Sequence, residues 1–203
     1  MNLAKARELA ALLEDLPFDT RALGELPGAA LPDETGRSYA ENALLKARAA
    51  VGMAGALALA DDSGLEVDAL GGAPGLRSAR FGGPGLDAAA RCRRLLEALR
   101  DVPEAERTAR FRCLIALVHP GGAEHVVEGV TDGLILTEPR GRGGFGYDPL
   151  FYYPPRGRTF AELTPDEKAQ VSHRARALRA ARRLLSECYT ADFGIDSGCG
   201  AAW

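Results

Sequence analysis

The chain has 203 residues, 46% of them hydrophobic and 26% charged, enough for one globular domain with a sizeable core and too apolar for disorder. A net charge of −3 gives no global case for nucleic-acid binding, and no apolar run approaches the roughly 20 residues of a membrane span. Cys92, Cys113, Cys188 and Cys199 form no CxxC pair and no zinc-finger spacing, so a reduced cytoplasmic compartment is expected and a disulfide scaffold is not.

Residues 3–15 place Leu9, Leu12 and Leu13 at helical spacing, and Pro17 ends the run. This opening, MNLAKARELAALLED, is polar and amphipathic, without the apolar stretch of a signal peptide. Residues 20–36 read as a loop, rich in Gly, Pro and acids. A second helix starts near Ser38, with Ala40, Ala43, Leu44, Ala47 and Val51 on one face and Gly52 and Gly55 closing it. The run ALALA (56–60) has the length of a buried strand and leads into an Asp61-Asp62-Ser63-Gly64 turn. A glycine-rich stretch (71–85) precedes a helix from Asp87 to Arg100. The clearest strands are 108–118 and 125–137, a long hairpin around Pro120-Gly121-Gly122. After the loop PRGRGGFGYDP comes a short aromatic segment, Phe151 to Tyr153. The longest helix is expected from Thr164, its cap, to about Glu187, with Pro165 at the first helical position. No repeat or linker divides the chain. The pattern predicts one α/β domain with mixed strands over residues 1–187 and an aperiodic tail over 188–203.

The strongest local signal is the pair Asp61-Asp62. Adjacent residues on a strand point to opposite faces, so only one of them enters a given cleft. A carboxylate at a strand end suits Mg²⁺, which takes one or two carboxylates plus substrate phosphates; the plainer reading is an acidic turn. Glu41 has two readings as well. Ser38-x-x-Glu41 fits a capping box, with Glu41 bonding back to the cap residue, and a metal carboxylate fits equally. Asn42 and Lys46 read as ordinary solvated helix positions. Gly141 to Gly146 matches G-x-G-x-x-G, but Pro149 forbids the helix that a dinucleotide fold needs there. Such a loop lets backbone approach a planar base, with Phe145 or Tyr147 against its face, or is a plain hairpin loop. Lys168 and His173 are five apart, on neighbouring faces of one helix, and Arg176, Arg179, Arg182 and Arg183 read as a solvated basic face. There is no Walker A loop and no G-x-S-x-G elbow.

Four segments in order, SYAENALLKARAA (38–50), LADDSGLEVDALGGAPGLRSARFGG (59–83), GGFGYDPLF (143–151) and TFAELTPDEKAQVSHRARAL (159–178), resemble the inosine triphosphate pyrophosphatase family. That resemblance implies an elongated α/β fold, with a mixed, strongly twisted sheet flanked by helices. Two lobes would enclose a central nucleotide cleft, and the protein would be a homodimer. It implies Mg²⁺-dependent cleavage of ITP, dITP or XTP between the α- and β-phosphates, yielding the monophosphate and pyrophosphate. A small purine nucleoside triphosphate is then the partner, without nucleic acid or membrane. By position, Asp62 matches the proton acceptor and a metal ligand, and Glu41 the other metal carboxylate. Ser63 matches a substrate contact, Phe145, Gly146, Tyr147 and Asp148 the segment that holds the nucleotide, and Lys168 a nucleotide-binding lysine. His173 with Arg174 matches the pair that reads the base, and Asn2 and Lys5 the end of a phosphate-binding motif. Two departures stand out. The family's opening apolar strand, ending in Thr or Ser, has no counterpart before Asn2, and Ala175 replaces a usual glycine. The missing strand makes a nucleotide-binding protein with impaired turnover the alternative reading.

Overall fold

The computed structural model describes residues 20–189. The expected first helix, with Asn2 and Lys5, lies outside the described residues, as does the tail from residue 190 on.

Helix α1 spans Tyr39–Ala54. Ser38 caps it, its hydroxyl accepting from the Glu41 N–H, and Gly55 closes it in the left-handed region at φ 62°. Gly52, expected to help end this helix, lies inside it. Asn42 and Lys46, expected in solvent, are both buried, because α1 turns them toward the strand that follows.

That strand, β1 (Ala58–Val67), runs straight through Asp61, Asp62, Ser63 and Gly64, where the sequence predicts a turn. Its register with β2 (Thr108–Val118) is unbroken from Ala58 opposite Val118 to Val67 opposite Ala109, so the ladder satisfies the backbone that a turn would have left to side chains. Gly64 is in the strand for a packing reason. A Cβ there would lie 2.6 Å from the Tyr39 hydroxyl and collide with the Gly75 carbonyl oxygen.

Helix α2 (Ala88–Ala98), capped by Asp87, matches its expected place. So does the hairpin of β2 with β3 (Glu124–Ile135), and the aromatic segment forms β4 (Phe151–Tyr153), paired with β5 (Arg158–Thr159). The sheet order is β1-β2-β3-β4-β5, and every pairing among the described residues is antiparallel. The α/β class is as expected, while the parallel component of a mixed sheet is not among these pairings.

The long C-terminal helix is in fact two, α3 (Pro165–Val171) and α4 (His173–Leu184). Ser172, extended at ψ 151°, ends the first and caps the second by accepting from the Ala175 N–H. Helical periodicity continues on both sides of the break, which is why the pattern concealed it. Lys168 and His173 therefore sit on different helices.

Helix α1 packs one face of the sheet, with Ala43 and Ala47 against Ala116 and Val118. Helix α4 packs the other, with Ala177, Leu178, Ala181 and the following Leu185 against Cys113, Ile115 and Leu117. Small residues permit this closeness. At Gly129 on β3 a Cβ would run into the His173 carbonyl and the Ala177 amide. A third cluster holds Leu65, Val67, Leu95, Leu99, Phe111, Phe151 and Phe160. On one face of β1, Leu59 packs against the α4 cluster while Leu65 and Val67 belong to the third, and Asp61 and Ser63 occupy the strand between them. No helix among the described residues is long and apolar enough to cross a membrane.

Candidate functional site

Strand β1 divides two polar clusters. On its α1 face the buried Asp62 carboxylate accepts from Lys46 Nζ at 3.0 Å and from Asn42 Nδ2 at 3.1 Å. Lys46 Nζ also reaches Glu34 Oε1 at 3.0 Å, so one ammonium lies between two carboxylates. Burial pushes the Asp62 carboxyl above its ordinary pKa, with Lys46 and Asn42 pulling the other way. Burial opposes the Lys46 charge, yet Asp62 and Glu34 hold its pKa above that of a free lysine. A carboxylate with a raised pKa is suited to receiving a proton. Sequence reasoning missed Glu34, since an acid in an aperiodic loop carries no positional signal.

Glu41 is exposed at the first turn of α1. Its carboxylate accepts from the Arg37 N–H at 2.7 Å, one residue before the position a capping box requires, so the reciprocal half of that box is not made. No three His, Cys, Asp or Glu side chains converge as a metal cage among the described residues. Mg²⁺ does not need one, because phosphates and water complete its shell. The buried Asp62 carboxylate, already holding a cation in Lys46, has the hard oxygen chemistry that fits it.

The opposite face of β1 gathers Ser63, Asp61, Arg174, Phe145, Lys168 and Asp148. Arg174 is 1% exposed, and its guanidinium donates to Ser63 Oγ at 3.2 Å and pairs with Asp61 Oδ2 at 3.6 Å. The Phe145 ring lies under two cations, Lys168 Nζ at 4.6 Å and the Arg174 guanidinium carbon at 5.4 Å. Lys168 is bonded to Asp148 at 2.7 Å, and the other role of Asp148 is to accept from the Phe145 N–H at 2.8 Å. Gly144 serves this turn, because a Cβ there would strike the Asp148 carboxylate. Gly146 is left-handed at φ 62°, and its carbonyl accepts from the Cys92 thiol, which burial pushes up to about 11.

Of the two aromatics offered for base stacking, Tyr147 belongs to the hydrophobic core, with its hydroxyl donating to the Ser78 carbonyl at 2.9 Å. Phe145 stands with the charged groups. His173 is buried, its ring stacked on Phe111 at 4.6 Å. The structure thus brings Ser63, Phe145, Asp148, Lys168, His173 and Arg174 to the α4 side of the sheet and Asp62 to the α1 side. Asp61, not singled out for a role from sequence, joins the first group.

A model of the Ham1 family matches residues 1–184. A dITP/XTP pyrophosphatase of Desulforamulus reducens is 50% identical over 188 residues, covering 93% of this chain and 94% of that one. One from Geobacillus kaustophilus is 51% identical over 177 residues, 87% of each chain. Among solved structures, a HAM1 protein from Coxiella burnetii superposes with a TM-score of 0.85 at 43% identity, covering 93% of this chain and 96% of that one.

Proposed function

The chain belongs to the Ham1 family, and on that premise we propose that it is a Mg²⁺-dependent pyrophosphatase that hydrolyses ITP, dITP or XTP to the monophosphate and pyrophosphate. The observation that carries this reading is the division at β1, with a buried, lysine-paired carboxylate, Asp62, on one face and a hydroxyl with a buried arginine, Ser63 and Arg174, on the other. The dITP/XTP pyrophosphatases at half identity over most of the chain support it.

In this reading Asp62 takes the proton of the attacking water, held in orientation by Asn42 and Lys46. Glu41 and Asp62 would hold Mg²⁺, which when bound neutralises phosphate charge and orients the triphosphate. Asn2 and Lys5 contact the phosphates, and Ser63 contacts the substrate. Phe145 lies against the base, with Gly146, Tyr147 and Asp148 shaping the loop that carries it and Lys168 binding beside it. His173 and Arg174 face the 6-keto oxygen of hypoxanthine or xanthine. An adenine amino group at that position leaves buried donors unpaired, a mismatch that polar sites reject by roughly 10⁴-fold. The catalytic unit is one domain over residues 1–187, acting as a cytoplasmic homodimer.

Pyrophosphate release from dITP, XTP, dATP and dGTP, with and without Mg²⁺, tests the reading. Metal-dependent turnover of dITP or XTP far above dATP and dGTP is expected. Equal or absent turnover across all four overturns it, and ITP binding without hydrolysis would identify a binding protein instead.

A further inference from the structure

Asp61 and Asp62 are neighbours with different surroundings. Asp62 faces α1 and its lysine; Asp61 faces α4 and pairs there with Arg174. A guanidinium is always charged, and Arg174 is among the largest fully buried side chains of the protein. A buried charge needs a counter-charge, and Asp61, with a side chain 11% exposed, lies 3.6 Å from Arg174 Nε. Ser63, two residues on and hence on the same face, closes a triangle. Its Oγ accepts from Arg174 at 3.2 Å and lies 3.4 Å from Asp61 Oδ2. The carboxylate thus holds the guanidinium both directly and through the hydroxyl. It also offsets the positive charge of that guanidinium.

We propose that Asp61 is a positioning residue for base recognition: it orients Arg174 and offsets its charge, so that the guanidinium meets a neutral keto base as a directed donor and not a phosphate as a point charge. This rests on the pyrophosphatase reading above, in which Arg174 reads the base. The two consecutive aspartates of β1 then serve opposite ends of one substrate, Asp62 the phosphates and Asp61 the base.

The test is the isosteric variant Asp61→Asn, with Asp61→Glu as the charge-retaining control, each checked for folding by its thermal midpoint. Asp61→Asn is expected to raise KM for dITP about 10-fold or more with kcat within about threefold, the scale of one charge-assisted hydrogen bond. It should also narrow the dITP to dATP preference and strengthen competitive inhibition by inorganic pyrophosphate, while Asp61→Glu restores most of the lost discrimination. In a double-mutant cycle with Arg174→Met, Asp61→Asn should add less than about twofold, because its effect passes through the arginine. An unchanged KM and selectivity, a loss confined to kcat, or a full additional effect in the Arg174→Met background overturns the proposal. Calorimetric titration with ITP keeps the two readings apart. If the wild-type protein fails to hydrolyse dITP, the pyrophosphatase reading falls. A roughly 10-fold weaker affinity of Asp61→Asn for ITP still supports the positioning role, and equal affinity overturns it.

Discussion

Two buried lysine–aspartate pairs flank the sheet, made from the same two residue types and put to different ends. Lys46–Asp62 spans 3.0 Å, with side chains 9% and 8% exposed, and Lys46 is shared with the half-exposed Glu34. Lys168–Asp148 spans 2.7 Å, with side chains 7% and 3% exposed, and both partners are spent locally, Asp148 on the Phe145 N–H and Lys168 over the Phe145 ring. The first pair joins a helix to a strand and has an acid left at its mouth. The second closes a loop onto a helix and fixes an aromatic. Identical chemistry thus gives the carboxylate proposed as the base in one place and a clamp on an aromatic in the other, and the difference lies in what else each oxygen touches.

The sharpest way to break this contrast is Asp62→Asn. It should lower pyrophosphate release by about 10³-fold, within the range for losing a general base, and leave the protein folded with a modestly lower thermal midpoint, Lys46 keeping Glu34. Retained activity would place the base elsewhere. Next in size is a comparison of the two lysines. Lys168→Met removes the 2.7 Å ion pair of Asp148, the more deeply buried of the two aspartates, and should destabilise the fold by about 3–5 kcal/mol. Lys46→Met leaves Asp62 its Asn42 bond, in a site where burial already favours the protonated acid, and should cost about 1–2 kcal/mol. Denaturant unfolding of both variants measures this, and equal losses would erase the distinction. Ser172→Ala removes the cap that starts α4 beside His173 and Arg174 and should cost about 1 kcal/mol in the same assay.

The smallest effect concerns Glu167, outside both pairs, whose carboxyl is held down to about 2 by the Arg158 guanidinium and then by the Thr164 backbone N–H. A folded pKa below the unfolded one stabilises fully above the unfolded value near 4.5 and is lost as pH falls toward about 2. Glu167→Gln should therefore flatten the acid limb of the stability curve between those values by removing a small stabilisation from the neutral range, small because the pair is exposed to solvent. An unaltered acid limb would show that the capping box of α3 contributes nothing through this charge.

Much of the fold was legible along the chain. The hairpin of β2 and β3, the caps at Ser38, Asp87 and Thr164, and the aromatic strand β4 each announce themselves by local chemistry and period. The errors share a cause. Asp61-Asp62-Ser63-Gly64 has the composition of a turn and is a strand, because pairing with β2 and the approach of Tyr39 and Gly75 outweigh local preference. Asn42 and Lys46 look like solvent residues on a helix and are buried, because Asp62 lies opposite them. The break at Ser172 leaves the helical period untouched and is visible only in the backbone.

The sequence alone determined the α/β class, since period, capping and spacing are properties of a chain read locally, and the four ordered motifs pointed to a triphosphate site only through their resemblance to a known family. The tertiary structure decided the pairings: that Glu34 shares Lys46 with Asp62, that Asp61 meets Arg174 on the α4 face of the sheet, and that Tyr147 goes to the core while Phe145 stays with the cations. These contacts join residues up to 113 positions apart, and which of several equivalent acids or aromatics meets a given partner is set by packing between elements, which no local pattern encodes.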